Sequence, residues 1–238
     1  MLDVHPPHSP THSWKDFFIH IATITVGLLI AVCLEQAVEA LHHHREAEEL
    51  RAALNREGDQ LINETKLTDL WLTSILAQSR DAEERISTAM HEHKPLQPAA
   101  KQKPVPAAAI PDIPILKSAK ANGRLTLLTD EEIVIYGELD FGMTKLSTAF
   151  DKMNETQTTI QILGRELQMD ANKGELLFAH ASDDQLKRYR SALLSFELAA
   201  TDCRAFTRQN RGATEAIRSG ERDLAKIQDA ELKYNNLP

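Results

Sequence analysis

The chain has 238 residues, a formal charge of −8 and 42% apolar residues, enough for one or two domains. A mildly acidic balance without a basic run gives nucleic-acid binding no electrostatic support. Two cysteines far apart in the chain, Cys33 and Cys203, make no disulfide framework, so the fold must rest on packing.

Residues 1–13, MLDVHPPHSPTHS, are polar and rich in proline and histidine, the composition of a disordered tail. Trp14 and Lys15 follow, where interfacial anchors belong at the headgroup level. The stretch Phe17 to Leu34 then runs for eighteen residues without Asp, Glu, Lys or Arg. As a helix it is about 27 Å long, close to the ~30 Å hydrocarbon core of a bilayer. Only a helix satisfies its own backbone there, so residues 14–37 are predicted to span a membrane once. A cleaved signal peptide fits poorly. The amino-terminal flank carries only Lys15, offset by Asp16, and Leu34-Glu35-Gln36 is a poor cleavage context. A lipoprotein signal fits less well, because Val32, not a small residue, precedes Cys33.

Thr23, Gly27 and Ala31 recur every four residues along the span, and Glu35 continues the row. Small residues at this spacing let two helices approach closely in lipid, so Thr23, Gly27, Ala31 and Glu35 mark a face for self-association or for a partner membrane protein. Polar groups sit at the ends of the span rather than midway, which argues against ion conduction.

Residues 38–92 predict a long juxtamembrane helix. No proline occurs from Ala37 to Met90, and Gly58 is the only glycine. Leu54, Leu61, Thr68, Ile75, Ala82 and Ala89 lie seven apart, a coiled-coil-like repeat broken at Glu57-Gly58 and again at Gln78-Ser79. The gaps favour packing against several helices over a two-stranded coiled coil. His42, His43 and His44 are consecutive, so on a helix they point about 100° apart and cannot jointly grip one ion. Residues 93–116 carry six prolines and predict an extended linker.

Residues 117–238 predict a helical bundle packing with 38–92. A short helix over residues 115–121 closes at Asn122-Gly123. Thr129 and Glu132 form a capping box, followed by a stripe of Leu139, Leu146, Met153, Ile160 and Leu167, with Met143 and Phe150 between. Ser182 and Gln185 form a second box, followed by Leu186, Tyr189, Leu193, Phe196, Ala200 and Cys203. This stripe fades after Phe206, and Gly212 and Gly220 interrupt the tail before Leu224, Ile227 and Leu232 resume it. Each long helix has one apolar stripe that it cannot bury alone. The expected fold is therefore all-α: one transmembrane helix continuing into a long amphipathic helix, with an elongated antiparallel bundle.

No phosphate-binding loop, dinucleotide fingerprint, nucleophile elbow or metalloprotease motif occurs. Carboxylates alternate with Arg and Lys, the look of a solvated helix face. The expectation is no enzyme, no cofactor and no metal.

The segment His12 to Phe17, the span, Leu34 to Glu39, and the later Ala119 to Glu132 with Gly123 and Leu125 resemble an uncharacterised family of bacterial single-span membrane proteins. The resemblance implies an inner-membrane location and a helical domain, and no activity. Arg45, Arg51 and Arg56 would hold the large part in the cytoplasm. They are embedded in a Glu-rich helix, however, and the short tail, single span and long C-terminal part match an uncleaved signal-anchor. The favoured topology therefore puts that part in the periplasm. A membrane-anchored, self-associating helical scaffold is the expected function; the alternative is an extracytoplasmic sensor or an accessory subunit of a larger membrane complex.

Overall fold

The computed structural model describes residues 14–92, 94, 110–167 and 181–235. The polar tail 1–13 and most of the proline-rich linker lie outside these. The described residues are all-helical: α1 (Trp14–Glu92), α2 (Pro114–Ala121), a 3-10 turn (Arg124–Leu127), α3 (Asp130–Leu167), α4 (Asp183–Arg218) and α5 (Leu224–Asn235).

Contacts divide the chain into two units, residues 1–50 and residues 51–238, and α1 contributes to both. In the first unit, every described residue from 14 to 45 is exposed, including Phe18, Ile24, Leu28 and Leu34. The eighteen-residue apolar run has no protein packed on it, and it is the one stretch among the described residues long and apolar enough to cross a membrane. The second unit is a bundle. From α1 it buries Leu54, Leu61, Thr65, Thr68, Leu72, Leu76 and Ile86, which accounts for the seven-residue spacing. From α3 it buries Leu139, Met143, Leu146, Phe150 and Met153, and from α4 Leu186, Leu193, Phe196, Ala200 and Cys203. Trp71 of α1 stacks on Phe150 with ring centroids 6.4 Å apart. Lower in the bundle, Ile86, Leu186 and Leu193 form a cluster joined by Ala82, Met90, Ile160 and Tyr189.

Polar pairs fix the helix directions. Asp59 meets Arg218, Asp69 meets Arg208 and Arg204, and Glu83 meets Arg190, so α4 runs antiparallel to α1. Asn210 bonds Gly142 O, and Tyr189 lies 3.6 Å from where a side chain on Gly164 would start, so α4 is antiparallel to α3 as well. Arg51 meets Glu132 and Trp71 meets Phe150; α1 and α3 therefore run the same way. α1 ends at Glu92, and α2 sits at the level of Glu57, thirty-five residues before that end.

Both predicted capping boxes form. Glu132 N donates to Thr129 Oγ1 at 3.3 Å, and Thr129 N donates to Glu132 Oε2 at 3.0 Å. Ser182 and Gln185 repeat the exchange at α4. Gly123, at φ 70°, follows the end of α2 in the left-handed region that glycine tolerates.

Three details differ from the sequence reading. The linker ends earlier than residue 116: Pro114 opens α2, and Ile113 and Leu116 are buried. Proline suits the first helical position, which needs no N–H. The stripe of α4 does not fade at Phe206; Thr207, Arg208, Asn210, Gly212, Ala213, Thr214 and Ile217 are all buried. Thr207, Asn210 and Thr214 bond helix carbonyls, as Thr207 does to Cys203 O at 2.7 Å and Thr214 to Asn210 O at 2.6 Å, and Arg208 donates to the Asp69 carboxylate. Gly212 is no interruption: it lies inside α4, where a Cβ would stand 2.7 Å from Ala230 O, and its bareness lets α5 dock. Ile227 of α5 is fully buried as a result.

Candidate functional site

The predicted association face lies wholly on exposed helix. Thr23, Gly27, Ala31 and Glu35 are all uncovered, and nothing lies within 4 Å of where a Gly27 Cβ would project. Thr23 Oγ1 donates to Ile19 O and Thr25 Oγ1 to Ile21 O, each at 2.8 Å. These bonds satisfy the hydroxyls within the helix, so neither needs water in an apolar medium. At the start of the helix Trp14 packs on Phe17 and Phe18, each 5.8 Å between centroids, giving an aromatic knot beside Lys15. His42 pairs with Glu46 at 3.2 Å one turn on. No group of His, Cys, Asp or Glu among the described residues could hold a metal ion.

The bundle holds three polar constellations whose members the sequence reading did not bring together. The first explains the break at Glu57-Gly58. The Glu57 carboxylate is buried and accepts from Ile115 N at 2.5 Å and Leu116 N at 3.0 Å. Ile113, at the N-cap of α2, has no side-chain acceptor, so the cap comes from another helix. Burial pushes the Glu57 carboxyl above its ordinary range, against the opposing pull of the two N–H groups. Beside it lies a cavity of about 10 Å³, lined in part by Tyr136, Thr214 and Arg218, with room for about one water. Gly58 is bare because the Arg218 side chain crosses it: a Cβ there would meet Arg218 Cδ at 2.8 Å.

The second is Arg51 with Glu132. Arg51 Nε and Nη2 donate to the two carboxylate oxygens at 2.9 and 2.8 Å, a forked pair. The guanidinium holds the Glu132 carboxyl down to about 2, although burial opposes it. Glu132 thus both caps α3 and ties it to α1.

The third centres on Asp69 of α1, which receives Arg204 and Arg208 of α4, with Arg211 close by. Arg204, Arg208 and Arg211 recur at steps of four and three, so they share one helical face next to buried Ala200, Cys203 and Thr207. That continuity with the apolar stripe was the available signal. Burial pushes the Cys203 thiol up to about 12, so it stays protonated and inert.

The described residues form an all-helical bundle and carry one exposed helical stretch, in the first part of α1, long and apolar enough to cross a membrane. No known protein family, curated protein or solved structure matches the chain.

Proposed function

We propose that the protein is a single-pass membrane scaffold of the bacterial inner membrane, with its helical bundle in the periplasm, assembling through the face of Thr23, Gly27 and Ala31. One observation carries the reading: residues 14–45 bury nothing, although they include an uncharged run of eighteen residues. In water such a run would cost about 25 cal/mol per Å² of apolar surface left exposed, so lipid is its natural solvent. The open surface at Gly27 supports a second helix approaching there.

Crosslinking in native membranes tests assembly. Wild-type protein gives a discrete oligomer that Gly27→Leu weakens. A monomer in both cases sinks the scaffold reading. Topology is read from Cys203 in a Cys33→Ala background, by an impermeant thiol reagent applied after mild unfolding to intact and to lysed cells. Labelling only after lysis puts the bundle in the cytoplasm and refutes the periplasmic assignment.

A further inference from the structure

Three guanidinium groups surround one carboxylate at the α1–α4 contact. Arg204 Nε and Arg208 Nε both donate to Asp69 Oδ1, at 3.0 and 2.9 Å. Arg211 Nη1 stands 3.9 Å from Asp69 Oδ2, beyond hydrogen-bond reach. Glu215, one turn beyond Arg211, spends an oxygen on the Tyr234 hydroxyl. Among these five groups, three guanidinium and two carboxylate, one positive charge is in excess.

Arg211 is the underused member. Its side chain is only 12% exposed, and its Nε is enclosed without an acceptor. The guanidinium carbon lies 4.9 Å from the centre of the Tyr234 ring. A ring screens a face of the cation but takes none of its in-plane N–H bonds. A buried guanidinium with unmade donors is unfavourable unless an acceptor arrives. Arg204, at 26% exposed, keeps one side of the cluster open to solvent.

We propose that this cluster binds a small tetrahedral oxyanion, a phosphate or the terminal group of a soluble phosphate ester. Its oxygens take the N–H groups of Arg211 and Arg204 that Asp69 leaves unused. The forked geometry of arginine matches phosphate, and the excess positive charge matches its anionic form. Asp69 acts as the orienting group, holding Arg204 and Arg208 in place.

The test uses full-length protein in non-ionic detergent, with inorganic phosphate against potassium chloride at equal ionic strength. Phosphate at ten times its dissociation constant raises the helix melting temperature by about 3 °C, saturably. Arg211→Gln abolishes the saturable part. The general salting-out effect of phosphate does not saturate and survives Arg211→Gln. If Arg211→Gln does not fold, the more exposed Arg204→Gln replaces it, read by phosphorus NMR line broadening. Equal melting in phosphate and chloride overturns the proposal, as does an unchanged saturable shift in the variant. Stabilisation by phosphatidylglycerol nanodiscs with none by free phosphate overturns it too.

Discussion

Two glycine-to-alanine changes should move stability in opposite directions. In an exposed helix interior, alanine is better than glycine by up to about 1 kcal/mol. Gly137 of α3 is such a position, with nothing within 4 Å of its would-be Cβ. Gly137→Ala should therefore stabilise by up to about 1 kcal/mol, raising Tm by roughly 2–4 °C for a chain of this size. Gly212 of α4 is the opposite case. Its Cβ would stand 2.7 Å from Ala230 O, 3.1 Å from Ala230 C and 2.9 Å from Tyr234 Cδ2. Two of those atoms are backbone, so no side-chain rotation relieves the clash, and α5 must shift outward by about 0.5 Å to restore ordinary contact. That shift loosens Ile227, which is fully buried, and the Tyr234 hydroxyl's bond to Glu215. Overpacking of this kind costs roughly 1–3 kcal/mol, and the propensity gain returns up to about 1. The expected net is a loss of about 1–2 kcal/mol, with Tm falling by roughly 2–8 °C. Thermal melting followed by circular dichroism in detergent reads both variants. Gly212→Ala melting above wild type would refute the account of α5 docking, whatever Gly137→Ala does.

Acid should act through Glu132. Its folded pKa, about 2, lies below the ordinary 4.5, so its stabilisation is complete above pH 4.5 and fades as pH falls toward 2. Urea melts between pH 6 and pH 2.5 should lose roughly 2–3 kcal/mol to this group, and Glu132→Gln should be less acid-sensitive than wild type. An equal pH slope in the two proteins would remove the assignment. Cys203, buried and with its thiol held near 12, should resist iodoacetamide at pH 8 until denaturant is added; fast labelling of native protein would contradict its placement. The return from Glu92 to α2 can be tested by length. Glu57 lies thirty-five residues before Glu92, about 52 Å along the helix, and the twenty-one residues 93–113 reach about 70 Å when fully extended. Deleting residues 97–106 leaves a reach of about 40 Å. Hydrogen exchange should then show α2 unseated and its Ile115 and Leu116 amides exchanging freely. Protection unchanged by the deletion would be incompatible with the parallel course of α1 and α3.

Features governed by near neighbours in sequence were readable in advance. The boxes at Thr129 and Ser182 involve residues three apart, and the stripes of α1, α3 and α4 follow from helical spacing. What escaped depends on distant partners. Glu57 looked like a fault in a repeat because the amides it caps lie 58 and 59 residues away. The pairing of Arg208 was not legible because Asp69 is 139 residues off. Gly212 looked like a break because the helix that needs its missing side chain begins only at Leu224. The parallel course of α1 and α3 escaped for the same reason: short hairpins give antiparallel neighbours, and a twenty-one-residue connection gives no such rule.

That course has a consequence for how the molecule is made. The apolar stripe of α1 leaves the ribosome before either of the helices that shield it. At ~5–20 residues per second, α4 is complete only some 6–25 seconds after α1. Throughout that interval the nascent chain presents a sticky, half-finished surface, and whatever accompanies it during synthesis must keep it from aggregating.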